Sequence, residues 1–162
     1  MALRQIREEG DEILRKKSRE VEIDDILGSK IQCLIEDMTD TMHEYNGVGL
    51  SAVQVGILKR VVVIDVEDEN GVYVLINPVI LKTKGEKECD EGCLSFPNQF
   101  GKVIRPTEVV VEFYDENAKK RKLKAKDLLA QAICHECDHL DGVLFIDKVE
   151  PGTLEYVDPN KQ

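Results

Sequence analysis

The stretch on which the rest of this chain depends is Cys134-His135-Glu136-Cys137-Asp138-His139. Within it, His135, Glu136 and His139 spell H-E-x-x-H. On a helix the two histidines lie on one face, one turn apart, so both imidazoles can bind a single metal ion. Glu136 is rotated by about 100° from His135. Its carboxylate would therefore stand beside the metal, where a general base is needed.

The residues around this motif predict the helix that it requires. Residues 126–133 are rich in good helix formers and contain no Gly or Pro. Asp127 is the predicted N-cap, and Gly142 follows the last apolar turn, where helices commonly end. A metal-binding helix is therefore expected near the C-terminal end of the chain.

The same segment also admits a structural zinc site. Cys134 and Cys137 form C-x-x-C, and Cys89 and Cys93 supply a second pair. The two helical cysteines centre on a direction about 150° from the two histidines, so one face cannot offer both sets of ligands. The two kinds of site exclude each other on this helix, and the helical spacing favours the histidines.

Size and composition predict one globular domain over residues 1–162, with a short, poorly structured tail from about residue 150. The 162 residues are 42% hydrophobic and 33% charged, an ordinary profile for a chain with its own core. Five cysteines at irregular spacing, with no export signal, predict reduced thiols and a cytoplasmic location. The net charge of −10 argues against nucleic-acid binding. No apolar run is long enough to span a membrane.

The hydrophobic pattern elsewhere predicts helices and antiparallel strands. A long amphipathic N-terminal helix is expected over residues 23–45, where Asn46-Gly47 ends it. Strands are predicted at residues 60–66, 72–76, 79–82, 108–114 and 120–126.

Three connections complete this expectation. Asn77-Pro78 is predicted to break strand pairing, residues 88–97 to form an acidic loop, and residues 143–146 to form a short strand or turn. The predicted fold class is therefore α+β, with antiparallel strands packed around the central H-E-x-x-H helix.

A catalytic metal held by His135 and His139 needs a third protein ligand and an open position. The only other histidine is His43, so a carboxylate ligand of the zincin type stays open. Cys93 is the better candidate. Gly92 before it lets the backbone approach closely, and a thiolate binds borderline and soft divalent metals strongly.

Three separated segments together resemble the signature motifs of the peptide deformylases. Residues 47–54, GVGLSAVQ, resemble G-x-G-Φ-A-A-x-Q, in which Φ is apolar. Residues 91–95, EGCLS, match E-G-C-Φ-S, and residues 135–139, HECDH, match H-E-x-D-H. The likeness continues through residues 10–15 and 142–147 and covers nearly the whole chain except the tail.

The resemblance implies a metal-dependent hydrolase that removes the N-formyl group from N-terminal formylmethionine of newly synthesised polypeptides. Cys93, His135 and His139 would be the metal ligands, with a water in the fourth position. The expected native ion is Fe(II), which Zn(II), Ni(II) or Co(II) could replace. No other cofactor is implied.

The resemblance also implies a role for residues beside the metal. Glu136 would take a proton from the metal-bound water that attacks the formyl carbon, and return it to the departing amine as formate is released. The Gln54 side-chain amide and the Leu94 backbone N–H would stabilise the charge that develops on the carbonyl oxygen.

A substrate pocket follows from the same comparison of motifs. Gly49 would pair its backbone with the substrate, and Val48, Leu128 and Ala132 would help to line the pocket for the methionine side chain. Ala132 and Leu128 lie about one and two helical turns before His135, on its side of the helix. Ordinary core packing of these residues is the alternative.

Three features depart from the family pattern. Ser51 stands in place of the first Ala, and Cys134 in place of the Gln that precedes the first histidine. Some bacterial relatives dock on the ribosome through a longer, basic C-terminal helix, whereas residues 150–162 are short and acidic, which puts that docking mode in doubt.

Two alternatives remain open at the level of sequence. One is a zincin-type metallopeptidase with a carboxylate third ligand, and the other is a non-enzymatic binding module stabilised by four cysteines. Glu91, Arg105 and Asp138 are candidates to support the metal ligands from behind, but spacing does not decide between them.

Overall fold

The computed structural model describes residues 2–159, and in that range it contains two α-helices and eight strands. The helices are α1 (Ser29–Glu44) and α2 (Asp127–Leu140). The strands are β1 (Gly49–Ser51), β2 (Val61–Asp65), β3 (Val72–Lys84), β4 (Lys87–Cys93), β5 (Phe96–Arg105), β6 (Glu108–Tyr114), β7 (Lys120–Lys126) and β8 (Glu155–Tyr156). Short 3₁₀-helices lie at Glu12–Arg15, Ile23–Asp25, Ala52–Val55 and Phe145–Asp147. The last of these takes the place of the strand or turn expected at residues 143–146.

The larger sheet is antiparallel, in the order β1-β2-β3-β6-β7. β6 and β7 have the predicted bounds and pair along their whole length. Strand pairing is interrupted at Asn77-Pro78 as predicted, since β2 pairs with β3 only as far as Ile76 and the register with β6 shifts between Ile76 and Val79. The two strands predicted on either side are nevertheless one continuous strand, β3. Asn77 takes a left-handed φ of 52°, which accommodates a proline that cannot donate to the ladder.

The smaller sheet has the order β4-β5-β8 and is also antiparallel. The acidic loop expected at residues 88–97 is therefore wrong, since β4 and β5 form a hairpin that turns at Leu94 and Ser95. The acidic residues fit a strand because cations face them. Asp90 forms an ion pair with Lys102 on the neighbouring strand, and Glu91 forms one with Arg105. Residues 155–156 of the tail pair with Gln99 and Phe100 as β8.

The N-terminal helix is shorter than predicted. It begins at Ser29 instead of Ile23, because Gly28 adopts an extended conformation (φ −72°, ψ 158°) as the N-cap. Its apolar stripe is as expected, and it packs on β1 and β2 through buried residues that include Leu34, Met38 and Met42.

Helix α2 lies against the larger sheet, where Ala130, Ile133 and Leu140 pack with residues of β2 and β6. The predicted N-cap is off by one residue. Lys126 is the cap, and Asp127 is the first helical residue, with its backbone N–H donating to the Thr107 carbonyl at 2.9 Å. The helix ends at Leu140, just before Gly142, as predicted. In the part of the chain that the structure describes, no helix has the length and apolar character needed to cross a membrane.

The turn after α2 provides a test of this packing. Gly142 has φ +74°, and a Cβ there would lie 2.4 Å from the backbone oxygen of Arg15. We expect Gly142→Ala to lower the free energy of unfolding by at least about 2 kcal/mol, since both strain and a backbone collision are introduced. Urea denaturation followed by circular dichroism measures the change.

Gly152→Ala is the matched control, because Gly152 has φ +77° and open space around its Cβ position. Gly152→Ala should lower the free energy of unfolding by only about 1 kcal/mol, the energy of placing an alanine in a left-handed backbone conformation. Equal losses of stability in the two variants would show that the contact between residue 142 and the Arg15 backbone oxygen is unimportant.

Candidate metal centre

Helix α2 and the β4–β5 turn bring three metal-ligating side chains together. The Sγ of Cys93 and one ring nitrogen each of His135 and His139 all lie within 4.8 Å of one another. Cys93 Sγ is 3.3 Å from His139 Nε2, and the two imidazole rings are 5.0 Å apart at their centroids. Both histidines are buried, and Cys93 is partly buried. One thiolate and two imidazoles form a donor set that suits a borderline divalent metal.

Neither alternative site is supported by the structure. Among residues 2–159, the one cluster of three or more such ligand atoms contains Cys93 and the two histidines, with no carboxylate and no second cysteine. All five cysteines are free thiols. Cys134 and Cys137 instead lie on α2 and pack into the core, where burial raises the pKa of Cys134 to about 11.

Glu91, Arg105 and Asp138 form a hydrogen-bonded network next to His135. The spacing of these residues in the sequence did not decide which of them support the metal ligands. Glu91 Oε1 accepts a hydrogen bond from His135 Nδ1 at 2.6 Å, which turns the other ring nitrogen, Nε2, towards Cys93. Arg105 Nε donates to Glu91 Oε2 at 2.9 Å, and its Nη1 donates to Asp138 Oδ2 at 2.8 Å. The position of His135 is therefore held by a buried network of alternating charges.

The network sets the ionisation of its members. Burial by itself would raise the pKa of Glu91, but the hydrogen bonds from Arg105 and His135 prevail and lower it to about 2. Burial opposes the charge of Arg105 as well, yet Glu91 and Asp138 raise the pKa of its guanidinium. Burial, together with the neighbouring His135, lowers the pKa of His139 well below its usual value, so its ring is neutral and able to bind a metal.

Glu136 lies beside this cluster with its carboxylate buried. Its Oε2 is 4.0 Å from His135 Nε2, and within residues 2–159 its Oε1 has no hydrogen-bond partner. Burial raises the pKa of Glu136 to about 7. A Cβ on Gly49 would lie only 2.7 Å from Glu136 Oε2, so a glycine is needed at that position. The carboxylate can accept and release a proton near neutral pH.

Gln54 directs its amide nitrogen towards Cys93. Its Nε2 donates to Ser95 Oγ at 3.0 Å and lies 3.5 Å from Cys93 Sγ. Its Oε1 accepts from both the backbone N–H and the hydroxyl of Ser51, each at 3.0 Å. The two serine hydroxyls were not singled out from the sequence as parts of the site. The signal for Ser95 was its place in the E-G-C-Φ-S segment.

A cavity of about 900 Å³ opens beside the cluster, and every residue that was expected in the substrate pocket lines it. Its lining includes Val48, Gly49, Gln54, Cys93, Leu94, Leu128, Ala132, His135 and Glu136. Val48 and Leu128 are exposed, at 39% and 48%, whereas Ala132 is buried. Leu94 follows Cys93 in the hairpin turn and packs closely on Gly47. The structure thus brings the candidate ligands, the carboxylate and a cavity with both polar and apolar lining to one place.

Comparison with known proteins agrees with this geometry. The sequence profile of the polypeptide deformylase family matches residues 3–154. A peptide deformylase of Finegoldia magna is 56% identical over 151 residues, which are 92% of this chain and 91% of that protein.

Solved structures show the same fold. A peptide deformylase from Legionella pneumophila has a TM-score of 0.86 at 41% identity, covering 92% of this chain and 87% of that one. A class I type b peptide deformylase from Acinetobacter baumannii with Met-Ala-Ser bound has a TM-score of 0.86 at 29% identity, covering 91% and 98%.

The buried network yields a stability prediction. Arg105→Met leaves the buried carboxylate of Glu91 without its guanidinium partner, whereas Asp138 keeps its ion pair with Lys148, and we expect the substitution to lower the free energy of unfolding by about 3–5 kcal/mol. Arg121→Met is the matched control, because Arg121 also pairs with a carboxylate, that of Asp115, but its side chain is 62% exposed. It should change the stability by less than about 1 kcal/mol. Similar effects in both variants, measured by chemical denaturation, would show that burial of the network is unimportant.

Proposed function

This chain belongs to the polypeptide deformylase family, hydrolases that remove N-formyl groups from nascent peptides, and we propose that the reaction takes place at the cluster of Cys93, His135 and His139. One observation carries the proposal. The three ligand atoms converge within 4.8 Å, and two of the three residues, Cys93 and His135, line a cavity that Glu136 and Gln54 also line. No single segment of the chain could supply that arrangement, which needs both α2 and the β4–β5 hairpin.

Members of this family depend on a metal, and the residues present fit one. His139 is held in its neutral form by burial, and His135 presents Nε2 because Glu91 occupies Nδ1. We assign Fe(II) as the native ion, with Zn(II), Ni(II) and Co(II) able to occupy the same thiolate and imidazole donors. A divalent ion bound there supplies Lewis acidity, which lowers the pKa of water and polarises the formyl carbonyl.

Glu136 is assigned the proton transfers. Its carboxylate takes a proton from the attacking water and returns it to the amine nitrogen as the C–N bond breaks and formate leaves. Burial supports this assignment, because it raises the pKa of Glu136 to about 7 and leaves Oε1 unpartnered within residues 2–159. One carboxylate can thus act first as base and then as acid.

Gln54 and Leu94 are assigned to the formyl oxygen. The Gln54 amide nitrogen faces the cluster at 3.5 Å from Cys93 Sγ, and Leu94 follows Cys93 directly in the turn. A donor aimed at the oxygen is most effective as negative charge develops there, and each is worth on the order of 3 kcal/mol of barrier.

The substrate is assigned to the cavity beside these groups. Its apolar lining, including Val48, Leu128 and Ala132, suits the methionine side chain, and the backbone of Gly49 lies against Glu136, within reach of the substrate backbone. The Acinetobacter baumannii relative was solved with Met-Ala-Ser, the peptide that deformylation of formyl-Met-Ala-Ser would leave. We propose nascent formylmethionyl chains in the cytoplasm as substrates.

The reaction is tested by formate release from formyl-Met-Ala-Ser with protein purified anaerobically. Glu136→Ala should lower kcat by about 10²–10⁴-fold, since general acid–base catalysis contributes that much. Metal analysis should still find about one ion per chain, because Glu136 is not a ligand. Glu44→Ala, at an exposed site at the end of α1, is the control and should keep wild-type kcat. A folded, metal-loaded Glu136→Ala protein with undiminished turnover would contradict the assignment.

The ligand set is tested separately by metal content. Cys93→Ala and His139→Ala should lose the ion, as measured by elemental analysis of the purified protein, because only two donors remain. Cys134→Ala is the matched control, since Cys134 lies one residue before His135 but outside the cluster. It should retain the ion. Loss of metal from Cys134→Ala, with retention in His139→Ala, would instead indicate the four-cysteine site.

A further inference from the structure

We infer that the hydroxyl of Ser51 is a positioning group for catalysis, which holds the Gln54 amide in the orientation needed to donate to the formyl oxygen. The inference rests on the role proposed above for Gln54. Ser51 itself would not touch the substrate, since its hydroxyl contacts the side chain of Gln54 from the opposite end of the amide.

The oxygen end of the amide is held by one residue in two ways. Gln54 Oε1 accepts from the Ser51 backbone N–H and from Ser51 Oγ, each at 3.0 Å. The bond from the Ser51 N–H to Gln54 Oε1 is also one half of a capping box on the 3₁₀-helix Ala52–Val55, whose other half directs the Gln54 backbone N–H to the Ser51 side chain. Ser51 is fully buried, and Gln54 is 1% exposed. Both lone pairs of Oε1 therefore have donors in a site that excludes bulk water.

The nitrogen end completes the set of contacts. One N–H of Gln54 Nε2 is directed to Ser95 Oγ at 3.0 Å, and the other to Cys93 Sγ at 3.5 Å. A flipped amide would turn its oxygen towards the metal-ligating thiolate and its NH₂ group towards the Ser51 N–H, where two donors would meet. The orientation is thus determined, and the N–H aimed at Cys93 is the one available for a substrate oxygen.

The hydroxyl adds to what the backbone of Ser51 already provides. Without it, the second lone pair of a buried carbonyl oxygen would lack a donor, and the amide could tilt about the remaining bond. Two donors on Oε1 also polarise the amide, so that its N–H groups become stronger donors. The family pattern has Ala at this position, and an alanine could not form this second bond, whereas Ser51 does.

The test measures kcat and KM for formyl-Met-Ala-Ser deformylation by the metal-loaded enzyme and four variants. They are Ser51→Ala, Gln54→Ala, the double variant, and Ser18→Ala. Ser18 is the matched control, because it is a buried serine whose hydroxyl has no hydrogen-bond partner within residues 2–159. Metal content and thermal unfolding are recorded for each protein.

We expect Ser51→Ala to lower kcat about fivefold, the effect of one neutral hydrogen bond, with KM changed less than about twofold. Ser18→Ala should leave kcat unchanged. In the Gln54→Ala background, the Ser51 substitution should lower kcat no further, because the group it positions is gone. A merely structural role would instead lower kcat by the same factor in both backgrounds, which would overturn the inference.

The other outcomes separate this inference from the role of Gln54. If Gln54→Ala lowers kcat strongly but Ser51→Ala has wild-type kcat, the positioning role is excluded while the proposed function stands. If Gln54→Ala itself has wild-type kcat, the assignment of Gln54 fails, and the inference fails with it.

Discussion

Glu91 carries a negative charge in the interior of this protein, and the position of the metal centre depends on how that charge is compensated. Its carboxylate is 5% exposed, accepts from His135 Nδ1 at 2.6 Å and faces the guanidinium of Arg105. Burying an uncompensated carboxylate costs several kcal/mol, so these partners must be in place when the chain is folded. Because Glu91 lies on β4 and His135 on α2, the compensation requires the hairpin and the helix to meet. The same contact brings Cys93, two residues after Glu91, to the histidines.

Two glycines, Gly47 and Gly49, allow the neighbouring side chains to pack closely against the backbone beside the metal centre. A Cβ on Gly49 would lie 2.7 Å from the Glu136 carboxylate, and one on Gly47 would lie 2.6 Å from the Leu94 side chain. Both glycines belong to the segment that also carries Gln54. Their φ angles are not left-handed, so the requirement is for space and not for an unusual backbone. Close packing of three segments around the cluster therefore requires glycine at both positions.

The hydrogen bonds of the buried polar groups distinguish the residues that position the site from the residue proposed to transfer protons. Glu91, Arg105 and Ser51 use their hydrogen-bonding groups on other residues of the protein. Glu136 Oε1, in contrast, has no partner within residues 2–159; Ser18 Oγ and His139 Nδ1 also lack one, but of these three residues only Glu136 lines the cavity. A buried polar atom without a hydrogen-bond partner lowers the stability of the folded protein. Such a loss of stability is tolerated where the group acts on a substrate. The division is consistent with Glu136 as the acid–base group and with the others as its scaffold.

The sequence by itself determined the local features of this protein. H-E-x-x-H on a helix, the bounds of β6 and β7, and the end of α2 before Gly142 follow from period, β-branching and glycine, which act between near neighbours. The three motifs, taken with the family resemblance, also named the ligands, Glu136 and Gln54.

Only the tertiary structure decided the features that depend on residues distant in the sequence. Residues 88–97 became a hairpin because Lys102 and Arg105 on the neighbouring strand neutralise its acidic residues. β3 continued through Pro78 because two different neighbours, β2 and β6, pair with its two halves. That Cys93 and not a carboxylate lies with the two histidines, and that Glu91 and Arg105 lie next to them, depends on which segments meet in the core, a contact that spacing along the chain does not encode.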